Sequence, residues 1–124
     1  MCLTITVRSN KLSGDDQRQL AKRFPLLHRG RDNVLSVHGC DFLSDSANWN
    51  APTWDLTADG RKVLADLLRN VMNDLTGAVE VTALWDGDRA EVDHPVTAQQ
   101  LLSLIAGNRL ETRAKYNVAP QSST

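Results

Sequence analysis

His38, Cys40 and Asp41 fall within four consecutive positions, and all three are residue types that do chemistry. His38 and Cys40 lie two apart, so on an extended strand they share a face. In an enzyme His38 would serve as the base, with Cys40 or Asp41 as nucleophile or orienting group. Open α/β sheets place ligands at the carboxyl ends of their strands, and this cluster follows a strand-like run. With Asp45 the same residues offer metal donors. Zinc, however, calls for recognisable pairs such as C-x-x-C or H-E-x-x-H, and neither occurs; His28 and His94 lie far off in the chain. No metal and no cofactor is therefore expected. A strand-end histidine beside a buried cysteine explains the cluster as well, and the reading leans away from an enzyme.

The stretch in which the cluster sits is the unusual part of the chain. From Gly39 to Leu56 no helical or strand period is visible, and structureless connections beyond about 12–15 residues are uncommon. Phe42, Leu43, Trp49, Trp54 and Leu56 call for burial, so disorder is not the expectation. Trp is enriched among interface hot spots. The sharper reading makes Trp49 and Trp54 exposed anchors for a partner, with Asp41, Asp45 and Asp55 as acidic contacts. The plainer one has both tryptophans closing one end of the core.

Met1-Cys2 resembles the start of the N-terminal-nucleophile hydrolases of the glutamine amidotransferase type, in which the exposed Cys attacks an amide. The glycine usual at the next position in that family is Leu3 here, and the chain is short for a four-layer fold. Asp86-Gly87-Asp88 lacks the spacing of a calcium loop and reads as a turn. Lys22, Arg23, His28, Arg29 and Arg31 make a basic connector. A sheet-type RNA reader also needs stacking aromatics on its open face, and Tyr116 falls on the opposite parity from Arg113 and Lys115. Nucleic acid is not an expected partner.

These residues need elements to position them. Leu3, Ile5 and Val7 alternate with Thr4, Thr6 and Arg8, a half-buried strand. Ser13 is placed to cap a helix that ends at Phe24 before Pro25. Asn33 to His38 makes the second strand. Thr57 opens a longer helix whose apolar stripe runs from Val63 through Leu64, Leu67, Leu68, Val71 and Met72 to Leu75, with Gly77 as a left-handed stop. Val79 to Trp85 and Arg89 to His94 read as strands of a hairpin turning at Asp86-Gly87. Thr97 and Gln100 form a capping box for the third helix, closed by Gly107. Glu111 to Val118 is the last strand.

The succession is β-α-β-loop-α-β-β-α-β, an α+β chain with a ferredoxin-like βαββαβ run from residue 33 onward. Polar residues on alternate positions place three helices on one face of a mixed sheet of about five strands, a two-layer α/β sandwich. Residues 1–118 read as a single domain and 119–124 as a flexible tail. The 124 residues, 41% hydrophobic and 23% charged with net charge −1, describe an ordinary globular chain with no bias toward polyanions or membranes. Cys2 and Cys40 are expected as free thiols in the cytoplasm. The expected function is a small non-enzymatic protein-binding module, meeting its partner through the 39–56 loop and the polar sheet face with Arg113 and Lys115. Its format is similar to that of bacterial inhibitors of the toxin-immunity type, and homodimerisation through the same face is equally compatible.

Overall fold

The computed structural model describes residues 2–10, 12–30, 33–48, 50–75 and 77–120, with the side chain of Asp74 left aside. The elements run β1 (Leu3–Arg8), α1 (Gly14–Arg23), β2 (His28–Arg29), β3 (Val34–His38), α2 (Ala58–Asp74), β4 (Val79–Trp85), β5 (Val92–Val96), α3 (Ala98–Ala106) and β6 (Ala114–Val118). The strands form one mixed sheet in the order β2-β3-β1-β4-β6-β5. Every neighbouring pair is antiparallel except β5 and β6. The α+β sandwich with three helices on one face is as expected, with six strands in place of about five.

Local signals account for the element ends. Ser13 Oγ accepts from the Asp16 amide while the Asp16 carboxylate accepts from the Ser13 amide, a complete capping box at α1. Thr57 Oγ1 accepts from Gly60 N–H at α2, and Thr97 with Gln100 forms the box of α3. Gly87 takes a φ of +82° in the turn after β4, which Asp88 N–H closes onto Trp85 O at 2.9 Å. α2 ends at Asp74 with Leu75 as its C-cap, two residues before Gly77. After α3 it is Asn108, at φ 56°, that turns left-handed, as asparagine tolerates.

The expected hairpin is corrected by the pairing. The turn at Asp86-Gly87 is present, but β6 lies between β4 and β5. Two features favour this placement. β5 contains Pro95, which has no N–H to give a second neighbour and so belongs at an edge. β6 buries Ala114, Tyr116 and Val118 on one face, which suits the inner position. The βαββαβ succession from residue 33 is present along the chain, but β1 sits between β3 and β4, so the strand order is its own. β2 was not expected; its two residues carry no periodic signal.

The core lies between the sheet and the helices. Leu3, Ile5, Val7, Leu35, Val37, Val81, Ala83 and Tyr116 line it from the sheet; Leu64, Leu68, Val71, Leu101 and Ile105 line it from the helices. Val63 is the exception in the expected α2 stripe, remaining 40% exposed beside Leu26.

The cysteines are not free. Cys2 and Cys40 form a disulfide, with Cα atoms 4.7 Å apart. The β1–β3 register explains it: Thr4 pairs with His38, so continuing outward by two residues puts Cys2 opposite Cys40. Directly opposed residues in a non-hydrogen-bonded antiparallel position have Cα atoms about 4.5 Å apart, which is a disulfide separation.

Candidate functional site

Strand alternation leaves one face of the sheet without helices. It presents Thr4, Thr6 and Arg8 from β1, Val34, Ser36 and His38 from β3, Glu80, Thr82 and Leu84 from β4, and Lys115 and Asn117 from β6. The register aligns His28, Ser36, Thr6, Thr82, Lys115 and Asp93 in a row across the sheet. Between His28 and Lys115 the central row carries no charge: it is Ser36, Thr6 and Thr82, each half-buried by its strand neighbours, with Val34 in the end row of Arg8 and with Thr4 and Leu84 in the end row of His38. Charge sits around it. Arg8 and Glu80 oppose each other at one end. Lys115 Nζ lies 3.5 Å from Glu80 and 3.9 Å from Asp93 on one flank. At the far end the Thr4 hydroxyl donates to the Asp86 carboxylate and lies 3.4 Å from His38 Nδ1.

The expected site residues divide among five fates. Lys115 is on the open face. Asp41 and Asp45 are exposed in the loop. Asp55 and Arg113 are engaged within the chain: Ser46 Oγ and Asn108 Nδ2 donate to the Asp55 carboxylate at 2.6 and 3.1 Å, and Arg113 Nε donates to Asp88 at 2.9 Å. Trp49 lies outside the described residues. Trp54 is a correction. It is 1% exposed, its ring is 4.6 Å from that of Trp85, and its Nε1–H donates to Ala83 O at 3.1 Å. A side chain so enclosed cannot anchor a partner.

The described part of the loop is fastened to the body at several points. Cys40–Phe42 forms a short 3₁₀ turn, Leu43 bridges Leu56, and Thr53 bridges Glu111. Trp54 N–H donates to Leu110 O, and Thr112 N–H donates to Pro52 O. The catalytic alternative loses Cys40, which is bonded to Cys2, and keeps Asp41, exposed in the loop; the same bond excludes the resemblance to an N-terminal nucleophile. His38 turns toward Thr4 on the open face.

The Asp55 clasp has a pH consequence. Hydrogen bonds from Ser46, then Ser44, then Asn108 hold its carboxyl below the ordinary aspartate value. A lowered folded pKa contributes stability above the unfolded value, lost as pH falls through the folded one. Acidification is therefore expected to release the loop, and raising pH from neutrality to leave it unchanged. Amide-exchange protection at Ser44, bonded to Asp55 O, and at Leu56, bonded to Asn108 Oδ1, reads this directly. Protection that persists unchanged down to about pH 2 would remove the role.

One cluster has no counterpart in the sequence reading. A groove of about 650 Å³ between β5 and α3 is lined by His94, Thr97, Gln100, Ser103, Arg109 and Glu111, with Tyr116 at its base. His94 Nε2 lies 2.6 Å from Glu111 Oε2, though its N–H is not aligned on that oxygen. The Tyr116 hydroxyl accepts from Glu111 N–H at 2.9 Å, and burial raises its pKa, so it stays protonated. Only the parallel pairing of β5 with β6 brings His94 beside Tyr116. Among the described residues no group of three or more His, Cys, Asp or Glu could hold a metal ion, and no helix is long and apolar enough to cross a membrane. Comparison with known protein families, with curated proteins and with solved structures finds no match.

Proposed function

We propose that this chain is a protein-binding module that docks its partner on the open face of the sheet. The observation that carries the reading is the distribution of charge on that face: Ser36, Thr6 and Thr82 make a neutral centre that Val34, Thr4 and Leu84 extend into the end rows, and Arg8, Glu80, Lys115, Asp93 and Asp86 stand around it. Protein interfaces are depleted of charge at their centres and polar at their rims. A flat sheet surface also costs little conformational entropy to bind, because its short β-branched side chains are already held. The loop drops out of the binding surface, with Trp54 consumed by the core. The Cys2–Cys40 disulfide suits an oxidising compartment, so the cysteines no longer support a reducing cytoplasm.

The test places a charge at the neutral centre. Thr82→Arg and Thr6→Arg keep a strand conformation and project outward, so the circular dichroism spectrum is expected to be unchanged. Partner capture from native extract is expected to fall by about tenfold or more, the cost of an unpaired charge at an interface centre. Sedimentation of the purified chain over a concentration series separates self-association from a different partner. Retention of the same captured protein by both variants at full strength would sink the proposal.

A further inference from the structure

At one corner of the open face two imidazoles meet. His28 on β2 is paired with Ser36, and His38 follows two residues later on β3, so the two rings are diagonal neighbours on one face, their centroids 5.6 Å apart and tilted by 50°. Both side chains are exposed. A cation held 2.0–2.1 Å from a nitrogen of each ring sets the centroids roughly 5 Å apart, close to the separation here.

A second observation fixes the chemistry of His38. The Thr4 hydroxyl donates its proton to the Asp86 carboxylate, so toward His38 its oxygen is an acceptor. The contact with the ring nitrogen facing it, Nδ1 at 3.4 Å, is a hydrogen bond in the tautomer that carries its hydrogen on Nδ1, and the hydroxyl favours that tautomer. The lone pair is left on Nε2. A carboxylate acting on an imidazole N–H, here through a hydroxyl, is the support that metal-binding histidines use to set their tautomer and raise their basicity. Thr4 lies on β1 and Asp86 in the turn that directly follows β4, so the support draws on two further elements of the sheet.

We infer that His28 and His38 form a two-histidine site for a borderline-soft divalent cation, of the class of Zn²⁺, Ni²⁺ and Cu²⁺. Imidazole nitrogen selects these over Mg²⁺ and Ca²⁺, which demand oxygen. The remaining coordination positions are open to water, since no third protein donor joins the pair among the described residues. Thr4 is a positioning residue. The inference is independent of the face meeting a protein.

Calorimetric titration of the full chain with ZnCl₂ tests it, with MgCl₂ as the hard-ion control. One Zn²⁺ per chain is expected, and no heat from Mg²⁺. His28→Gln and His38→Gln are each expected to weaken uptake by about tenfold or more, while His94→Gln leaves it unchanged. Thr4→Val keeps the β-branched shape and removes the relay. It is expected to weaken Zn²⁺ several-fold, with both imidazole signals still shifting in the ¹⁵N–¹H spectrum on saturation. Absence of Zn²⁺ uptake by the native chain would overturn the site. So would uptake retained by both His28→Gln and His38→Gln, which would move the ion elsewhere. Unchanged affinity in Thr4→Val would overturn the positioning role. His28 and His38 are exposed and His94 is half-buried, and circular dichroism verifies that each variant keeps the fold.

Discussion

Trp54→Ala is expected to destabilise the fold by about 3–5 kcal/mol, the range for emptying a large aromatic site in a packed core. The loop residue expected to be displayed is among the best-enclosed side chains of the chain, at 1% exposure. Its ring stands 4.6 Å from Trp85 at a 47° tilt, within the range that favours aromatic pairs, and its indole N–H is bonded to the backbone oxygen of Ala83 in the central strand β4. Main-chain bonds from Trp54 to Leu110 and from Thr112 to Pro52 fasten the surrounding segment, so the neighbourhood is poorly able to collapse into the cavity. Trp54→Phe keeps part of the ring volume and loses the N–H, and is expected to cost clearly less. Asp41→Ala and Asp45→Ala, at exposed positions of the same loop, should stay within about 0.5 kcal/mol of the native chain. Urea denaturation orders the four. A Trp54→Ala chain as stable as Asp41→Ala would mean that the indole is not in the core. The fluorescence lost in Trp54→Phe should be the blue-shifted, quencher-protected part of the emission.

The contrast shows which parts of this fold are legible along the chain. Alternation in Leu3–Arg8 and Val79–Trp85, and the caps at Ser13, Thr57 and Thr97, are local: each is decided by residues within one turn or one pleat, and each appears as expected. Strand partners are decided by the whole sheet. The turn at Gly87 is visible in the sequence, yet it does not say whether the next strand returns beside β4 or passes over β6; Pro95 was the available sign that the strand carrying it belongs at an edge. The same ignorance of partners hid His94 beside Tyr116 and His28 beside His38. Trp54 was ambiguous because an indole serves a core and an interface equally well, and what settles it is a carbonyl 29 residues away. The open face itself was legible, since the outward parity of Thr4, Thr6, Thr82 and Lys115 follows from the inward parity of their neighbours.

The cysteines carry the second large effect. Replacing Cys2 and Cys40 together by Ser is expected to lower stability by about 4 kcal/mol, the loop-closure entropy of a cross-link spanning some 38 residues. For a chain of this size that corresponds to a fall in Tm on the order of 15 °C. The native sheet does not depend on the bond for its topology, because β1 is held on both sides by β3 and β4. The loss is therefore expected in the unfolded reference, where the bond restricts the chain, and not as a rearranged fold. Two measurements separate these. Circular dichroism of the double variant should match the native spectrum below its transition, and the urea m-value should rise, since an uncross-linked unfolded chain exposes more surface. Reductant added to the native chain should reproduce the lowered midpoint and do nothing further to the double variant. Equal midpoints in native and double-variant chains would mean that the cysteines are not bonded. The register argument would then be at fault at its outermost step, where Cys2 is carried from the Thr4–His38 pair to a position opposite Cys40.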